Sequence, residues 1–437
     1  MTRTIELAAD GVDLLSLHAA NPARYPYLLE SRAEQKGDEG WNILFAFPGE
    51  TLYADDGDFL QQLDCCWQQE SYEPSVSTLP FRGGWFLFLD YELAHQVEPI
   101  LSRGRVPPQT TSFATRIPAA ILQQHNSGRL LLLDETEAQY LEQMQQDVAT
   151  CSSLPEVSPF TVEGLVEEDD EQFLQSVERI KHYIVEGDLF QANLSRQWSV
   201  QCDAQLQPYQ LYQRLRDTNP APFAGLVVQD GRAIISSSPE RLVSVRDQIA
   251  ETRPIAGTHP RGENEAEDQA LSERLLSHPK EQAEHIMLID LERNDLGRVC
   301  QPGSVEVDEL MVLESYAHVH HIVSNVKGKL REGITPGAVI RALFPGGTIT
   351  GCPKVRCMEV INELETEARG AYTGSFGYLN RDGSMDLNIL IRTLMMEGNQ
   401  VTLRAGAGIV HDSIPQRELA ETRAKAKGML MALGIES

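Results

Sequence analysis

Two pairs of glutamates carry the strongest hint of chemistry in this chain: Glu281 with Glu284, and Glu418 with Glu421. Each pair is spaced i,i+3 within a stretch whose pattern predicts a helix, 279–291 and 415–430. Each pair would therefore share one helix face. Lys425 lies four residues beyond Glu421, on the same face. If the two helices meet, four carboxylates converge, and their repulsion calls for a hard divalent cation. Mg2+ suits such a place, because it prefers oxygen ligands and keeps waters or substrate oxygens in its shell. Solvated helix faces are the commoner fate of such pairs, so the metal reading leans on the motifs around them.

Ser238-Pro239-Glu240-Arg241 ends an expected strand. A carboxylate held there in a pocket can have its pKa raised and deliver a proton; a turn glutamate paired with Arg241 is the plainer alternative. Thr252-Arg253-Pro254-Ile255-Ala256-Gly257-Thr258 reads as a rigid turn whose glycine allows close backbone approach. His318, His320 and His321 fall in a strand-like run. Pro345-Gly346-Gly347-Thr348-Ile349-Thr350-Gly351-Cys352-Pro353-Lys354 is a glycine-rich loop entering a helix at Pro353, and free N–H groups at a helix start bind anions. Arg392 can grip a carboxylate with two hydrogen bonds. Ala405-Gly406-Ala407-Gly408 reads as a second backbone-rich turn.

These motifs need a scaffold. Strand-like runs occur at 41–47, 84–89 and 130–133. A Ser/Pro-rich and then acidic stretch at 151–171 reads as a surface crossing. Next comes an amphipathic helix with Phe173, Val177, Ile180 and Ile184 on one face, stopped by Gly187. In the strand expected at 189–200, Gln191, Asn193 and Ser195 face one side and Phe190, Ala192 and Leu194 the other. Further strands are expected at 233–237, 389–394 and 401–405. With no Rossmann glycine signature, the reading is an antiparallel-rich α+β protein.

The bulk numbers narrow the partners. A net charge of −27 over 437 residues argues against nucleic acid and anionic membranes, but not against a small anion bridged by a cation. No apolar run is long enough to span a bilayer. The first fifteen residues carry Glu6, Asp10 and Asp13 rather than a signal-peptide pattern, which predicts a cytoplasmic protein. Seven cysteines without metal spacing read as reduced thiols. None sits in a Gly-x-Cys-x-Gly turn, so no glutaminase nucleophile is expected.

In this order the motifs resemble those of the chorismate-utilising family: the large subunits of anthranilate synthase and aminodeoxychorismate synthase, and isochorismate and salicylate synthases. The similarity runs from Phe173 to Lys427, with a fainter stretch at Leu28-Leu29-Glu30-Ser31 and Phe81-Arg82-Gly83-Gly84-Trp85. It implies an anthranilate-synthase-like α/β sandwich of two large antiparallel sheets flanked by helices. Residues 1–155 would form an N-terminal region and 170–437 the chorismate-binding catalytic region, packed into one sandwich. It implies Glu284 and Glu421 as principal Mg2+ ligands, with Glu281 and Glu418 near or bridged by water. Glu240 resembles the acid that helps the C4 hydroxyl leave, and His321 the active-site histidine. Thr258 and Thr348 resemble polar substrate contacts. Tyr372, Arg392, Lys425 and the backbone of Gly406 and Gly408 resemble carboxylate binders.

Two positions bear on which member it is similar to. Water-using relatives carry a lysine base where this chain has Gln191, so ammonia is the implied nucleophile. Aminodeoxychorismate synthases often place a nucleophilic lysine where this chain has Ala256; anthranilate synthases have alanine there. Asn193, Thr350 and the His320-His321 pair instead resemble the aminodeoxychorismate group, and Ala221-Pro222-Phe223-Ala224 lacks the Pro-Tyr-Met segment of tryptophan-inhibited anthranilate synthases. Leu29, Glu30 and Ser31, with Pro222 and Phe223, read as a possible remnant of a tryptophan site. The expected function is an aminodeoxychorismate synthase large subunit serving p-aminobenzoate and folate synthesis. It would make 4-amino-4-deoxychorismate noncovalently, through a 2-amino intermediate, with ammonia from a separate glutamine amidotransferase subunit. Anthranilate synthase component I is the alternative. A chorismate-binding regulator without catalysis, with Ala256 as the scar, is a third, and the intact Glu240, His321, Glu284, Glu421 and Lys425 argue against it.

Overall fold

The computed structural model describes residues 2–435 except 9–10, 33–39, 55–56, 73–77, 104–107, 126–127, 137, 152, 155–159, 204–205, 262–263, 265–267, 270, 272, 274–278 and 316–318. At 256, 258–260, 279–280, 315 and 319 it describes the backbone alone. Among these residues the strands form two large antiparallel sheets, one of 12 strands and one of 10. The α+β sandwich expected from the resemblance is the fold observed.

Both halves of the chain build both sheets. The first sheet runs from Arg3–Ala8 through Arg129–Asp134, Ala119–Gln124, Trp41–Ala46 and Tyr27–Glu30. It continues through Phe223–Gln229, Arg232–Ser238, Thr393–Glu397, Gln400–Ile409 and Gln191–Cys202 to Gly351–Cys352. In the second, Ile255–Pro260, Val319–Lys329, Ile249–Thr252, Arg241–Arg246, Met385–Asn388 and Ser375–Asn380 lead into the N-terminal strands Gly84–Leu89, Phe113–Ile117 and Thr51–Tyr53. Between the sheets lies a core rich in rings. Tyr27 and Phe45 of the first sheet meet Phe86, Phe113, Phe376 and Tyr378 of the second. Tyr27 stacks on Phe86 with centroids 4.2 Å apart. Each buried ring of this kind contributes about 1.5–3 kcal/mol through the water it sheds.

Helices cover the outer faces. Pro208–Thr218 and Pro415–Ala432 pack on the first sheet, and Phe59–Glu70, Pro279–Gly297 and Pro336–Leu343 on the second. Asp170–Val185 starts where the Asp169 carboxylate accepts the N–H groups of Glu171 and Gln172. It ends before Gly187, whose φ of 84° is easy only for glycine. Its face Phe173, Val177 and Ile180 packs on Ala192, Leu194, Ala407 and Ile409. That packing turns Gln191, Asn193 and Ser195 the other way, toward the gap between the sheets. Phe190 departs from the expected alternation: it precedes the Gln191–Cys202 strand and is exposed.

Two further readings change. Gly406 and Gly408 lie inside the Gln400–Ile409 strand, paired with Ser195 and Asn193, rather than in a turn. The strand expected at 389–394 is a crossing. Met385–Asn388 belongs to the second sheet and Thr393–Glu397 to the first. Ile389 and Leu390 are both buried, Ile389 in the core beneath the helices of the second sheet and Leu390 in the core between the sheets, so their hydrophobicity reports that burial and not a strand. A second crossing runs beside it, from Arg232–Ser238 to Arg241–Arg246. The Ser238 hydroxyl donates to the Ile389 carbonyl, and the Ile389 N–H donates to the Glu240 carbonyl at 3.0 Å.

Candidate active site

The paired crossings bring Glu240 and Arg392 together. Glu240 is buried, and burial pushes its carboxyl up to about 7, against the ionising influence of Thr348, the Ile255 N–H, Lys425 and Arg392. A carboxyl of that kind is poised to give a proton near neutral pH. Arg392 holds a φ of 53°, a left-handed conformation that costs a non-glycine residue energy and tends to persist where function requires it. Burial pushes its guanidinium down, and the charge of Glu240 opposes that.

The floor is the pair of strands Gln191–Cys202 and Gln400–Ile409. A methyl group on Gly406 would stand 2.7 Å from Asn193 Oδ1 and 2.7 Å from the Tyr372 hydroxyl. One on Gly408 would stand 2.6 Å from Gln191 Nε2. The glycines therefore open a space faced by Gln191, Asn193 and Tyr372. Burial raises the Tyr372 phenol to about 12, so it stays a neutral donor. The Lys425 ammonium donates to the Gly406 carbonyl at 2.9 Å, which ties the Pro415–Ala432 helix to this floor.

The third wall is the loop from Pro345 to Pro353. It is stitched to the floor by the Asn193 N–H donating to Thr350 O and the Phe190 N–H to Cys352 O, at 2.9 and 2.8 Å. Gly351 has a φ of 130°, and a Cβ there would fall 2.2 Å from Gln191 O, so only glycine fits. Lys354 donates to the carbonyls of Leu343 and Pro345, both at 2.9 Å, and pairs with Asp295. Thr348 stands next to Glu240, yet its Oγ1 and Glu240 Oε1 both lack a hydrogen bond of good geometry. Gln191 Oε1 and Asn193 Oδ1 lack one as well. Buried polar atoms without partners are uncommon, and the side-chain amides of Gln191 and Asn193, at the space over Gly406 and Gly408, are what a polar ligand would satisfy.

His321 closes the remaining side. It sits on Val319–Lys329 with its backbone paired to Thr258. Burial pushes its imidazole down to about 4, with Arg392 adding to the effect, so at neutral pH it is an uncharged hydrogen-bonding ring. Gly257 takes a φ of 68° at a bulge inside the Ile255–Pro260 strand, between Ala256 and Thr258, so the turn expected over Thr252–Thr258 is confined to Arg253 and Pro254. The side chains of Ala256 and Thr258, and the whole of His318, lie outside the described residues.

The helices of the glutamate pairs run longer than expected, over Pro279–Gly297 and Pro415–Ala432. Glu281, Glu284 and Glu418 are half-buried, and Glu421 is exposed and paired with Lys425 at 2.8 Å. Among the described residues no three His, Cys, Asp or Glu side chains gather to hold a metal. The donors are still of the right kind for Mg2+: hard carboxylate oxygens, on two helices whose Glu292 and Lys425 both lie within electrostatic reach of Glu240.

Sequence reasoning missed the support behind the floor. The buried Glu365 carboxylate accepts the Ser195 N–H and hydroxyl, both at 2.9 Å, and pairs with Arg369 and Arg404 at 2.7 and 3.2 Å. Burial alone would raise its carboxyl, but the two arginines outweigh that and hold it low. Arg369 also donates to Asn193 O at 2.7 Å. Leu29, Glu30, Ser31, Pro222 and Phe223 come together elsewhere, around a cavity of about 80 Å3 between the sheets that also touches Arg241 and Asn388.

A family profile described as chorismate binding enzyme matches residues 25–431. The chain is 44% identical over 379 residues to an anthranilate synthase component I-like protein of Synechocystis sp., covering 86% of this chain and 78% of that one. It is 39% identical over 441 residues to aminodeoxychorismate synthase component 1 of Bacillus subtilis, covering 96% and 91%. Its fold superposes on the crystal structure of anthranilate synthase component I from Streptococcus pneumoniae with a TM-score of 0.79 at 32% identity, covering 91% and 93%.

Proposed function

Because this chain belongs to the chorismate-binding enzyme family, we propose that it is the large subunit of an aminodeoxychorismate synthase, converting chorismate and ammonia to 4-amino-4-deoxychorismate. The observation that carries this reading is Asn193. Its buried side-chain oxygen has no partner and faces the space over Gly406, at a position where the aminodeoxychorismate group favours asparagine. The similarity to the Bacillus subtilis protein over nearly the whole chain supports it. Ala256 and the likeness to anthranilate synthases favour the second reading, anthranilate synthase component I.

The residues divide the work as follows. Arg392, Lys425, Tyr372 and the backbone of Gly406 and Gly408 hold the substrate's carboxylates. Ammonia adds at C2 while the C4–O bond breaks, and Glu240 gives its proton to the leaving oxygen, which departs as water. A second ammonia adds at C4 and expels the C2 amine, so one ammonia is consumed and one water released. Ala256 offers no nucleophile, so no covalent adduct with the chain forms at that position. Gln191, an amide, cannot take a proton from water, which leaves ammonia as the nucleophile. Mg2+ held by Glu284 and Glu421, with Glu281 and Glu418 beside them, would offset the charge of a dianionic substrate. Ammonia would come from a glutamine amidotransferase subunit. The cavity at Leu29–Ser31 and Pro222–Phe223 is read as a remnant of a tryptophan site.

The test is chorismate consumption with Mg2+, with and without an ammonium salt. Consumption that depends on ammonia is expected. Isochorismate formed without ammonia, at a matching rate, would overturn the reading.

A further inference from the structure

Along Pro279–Gly297 the buried stripe runs His285, Leu288, Ile289, Glu292, Leu296. A carboxylate in that stripe is costly unless something holds it. Glu292 is held between the two loops that flank Glu240. Its Oε2 accepts the Thr252 hydroxyl at 3.0 Å, at the start of the turn whose Ile255 N–H reaches Glu240. Its Oε1 lies 3.1 Å from where a Cβ on Gly347 would stand, one residue before Thr348.

We propose that Glu292 is a positioning residue that clamps these two loops around Glu240 and, as a second buried carboxylate nearby, opposes a charge on it. The inference rests on the reading of Glu240 as the proton donor. The groups facing Glu292 are Asp295, whose charge opposes its ionisation, and Lys354 and Thr252, which favour it; Glu240 opposes it as well. Burial is the largest influence and pushes Glu292 up to about 7. Glu240 in turn faces Thr348, Ile255, Lys425 and Arg392. Of the two like charges facing Glu292, Asp295 weighs more than Glu240; the repulsion between Glu292 and Glu240 is mutual, so a charge on Glu292 makes Glu240 harder to ionise.

Glu292→Gln keeps an oxygen for the Thr252 hydroxyl and removes the charge. Glu292→Leu removes both. The assay is kcat/KM for chorismate, with Mg2+ and an ammonium salt, from about pH 5.5 to 9. In the Gln variant the alkaline limb should move to lower pH by at least about 0.3 unit, with KM changed less than about threefold. The Leu variant should raise KM by on the order of tenfold. A Gln profile that overlays the wild type overturns the inference while leaving the functional reading intact. Wild-type protein that leaves chorismate untouched overturns that reading instead. The pair is then read by melting: Glu292→Gln should gain stability relative to the wild type as pH rises from about 5 to about 8, and parallel curves would overturn the inference.

Discussion

Replacing Gly406 and Gly408 separately by alanine tests the shape of the site. The Gly406→Ala methyl would lie 2.7 Å from Asn193 Oδ1, the Leu194 carbonyl and the Tyr372 hydroxyl. Leu194 O belongs to the neighbouring strand, so it cannot swing aside. Overpacking of this kind costs about 1–3 kcal/mol, which for a chain of this size lowers the melting temperature by roughly 1–3 °C. Displacing Asn193 and Tyr372 by over half an ångström should lower kcat/KM for chorismate by on the order of 10- to 100-fold. The Gly408→Ala methyl meets one movable group. Gln191 Nε2 would be 2.6 Å away, and the next atoms, Cδ and Cγ, 3.4 and 3.9 Å. Turning that amide costs about 0.5–1.5 kcal/mol, so melting should change by roughly 2 °C or less, with activity lost through KM. Differential scanning fluorimetry and steady-state chorismate consumption read both effects. If Gly406→Ala melts and turns over like the wild type, or Gly408→Ala costs the same stability, the site geometry argued from these strands is wrong.

Two further substitutions address charge. Burial on folding raises the Glu240 carboxyl from 4.5 to about 7, so its contribution to stability is lost as pH rises through that window. Glu240→Gln should therefore melt higher than the wild type at about pH 8, by on the order of 1–3 kcal/mol, match it near pH 4, and lose activity about 100-fold or more; a constant stability difference across pH would refute the buried-acid assignment. Glu421→Gln breaks a half-exposed pair with Lys425, which should cost less than about 1 kcal/mol of stability. The same change should lower Mg2+-dependent turnover by several kcal/mol of transition-state stabilisation, on the order of 100-fold or more; full activity in chelator-treated buffer would remove Glu421 from the metal site.

Much of the scaffold was legible because periodicity reports burial. The face Phe173, Val177, Ile180 and the alternation Ala192, Leu194 meet in one core, and the polar side of that strand, Gln191 and Asn193, faces the site. The pattern misled where hydrophobicity has a second cause. Ile389 and Leu390 are buried in a crossing between sheets, a fact that depends on which sheet each neighbouring strand joins. Gly406 and Gly408 carry no side-chain pattern, so a strand built around them looked like a turn. That Glu240 and Arg392 meet follows from two crossings lying side by side, a long-range feature absent from either local motif. Glu292 did leave a signal: an acid at i+4 from Leu288 and i−4 from Leu296, inside an apolar stripe.

The central claim is the identity of the product. Protein, chorismate and Mg2+ are incubated with an ammonium salt, a lyase converts any 4-amino-4-deoxychorismate to p-aminobenzoate, and the aromatic products are identified by mass spectrometry. The account predicts p-aminobenzoate, formed only when the lyase is present. Anthranilate as the sole aromatic product, formed without the lyase, would contradict it.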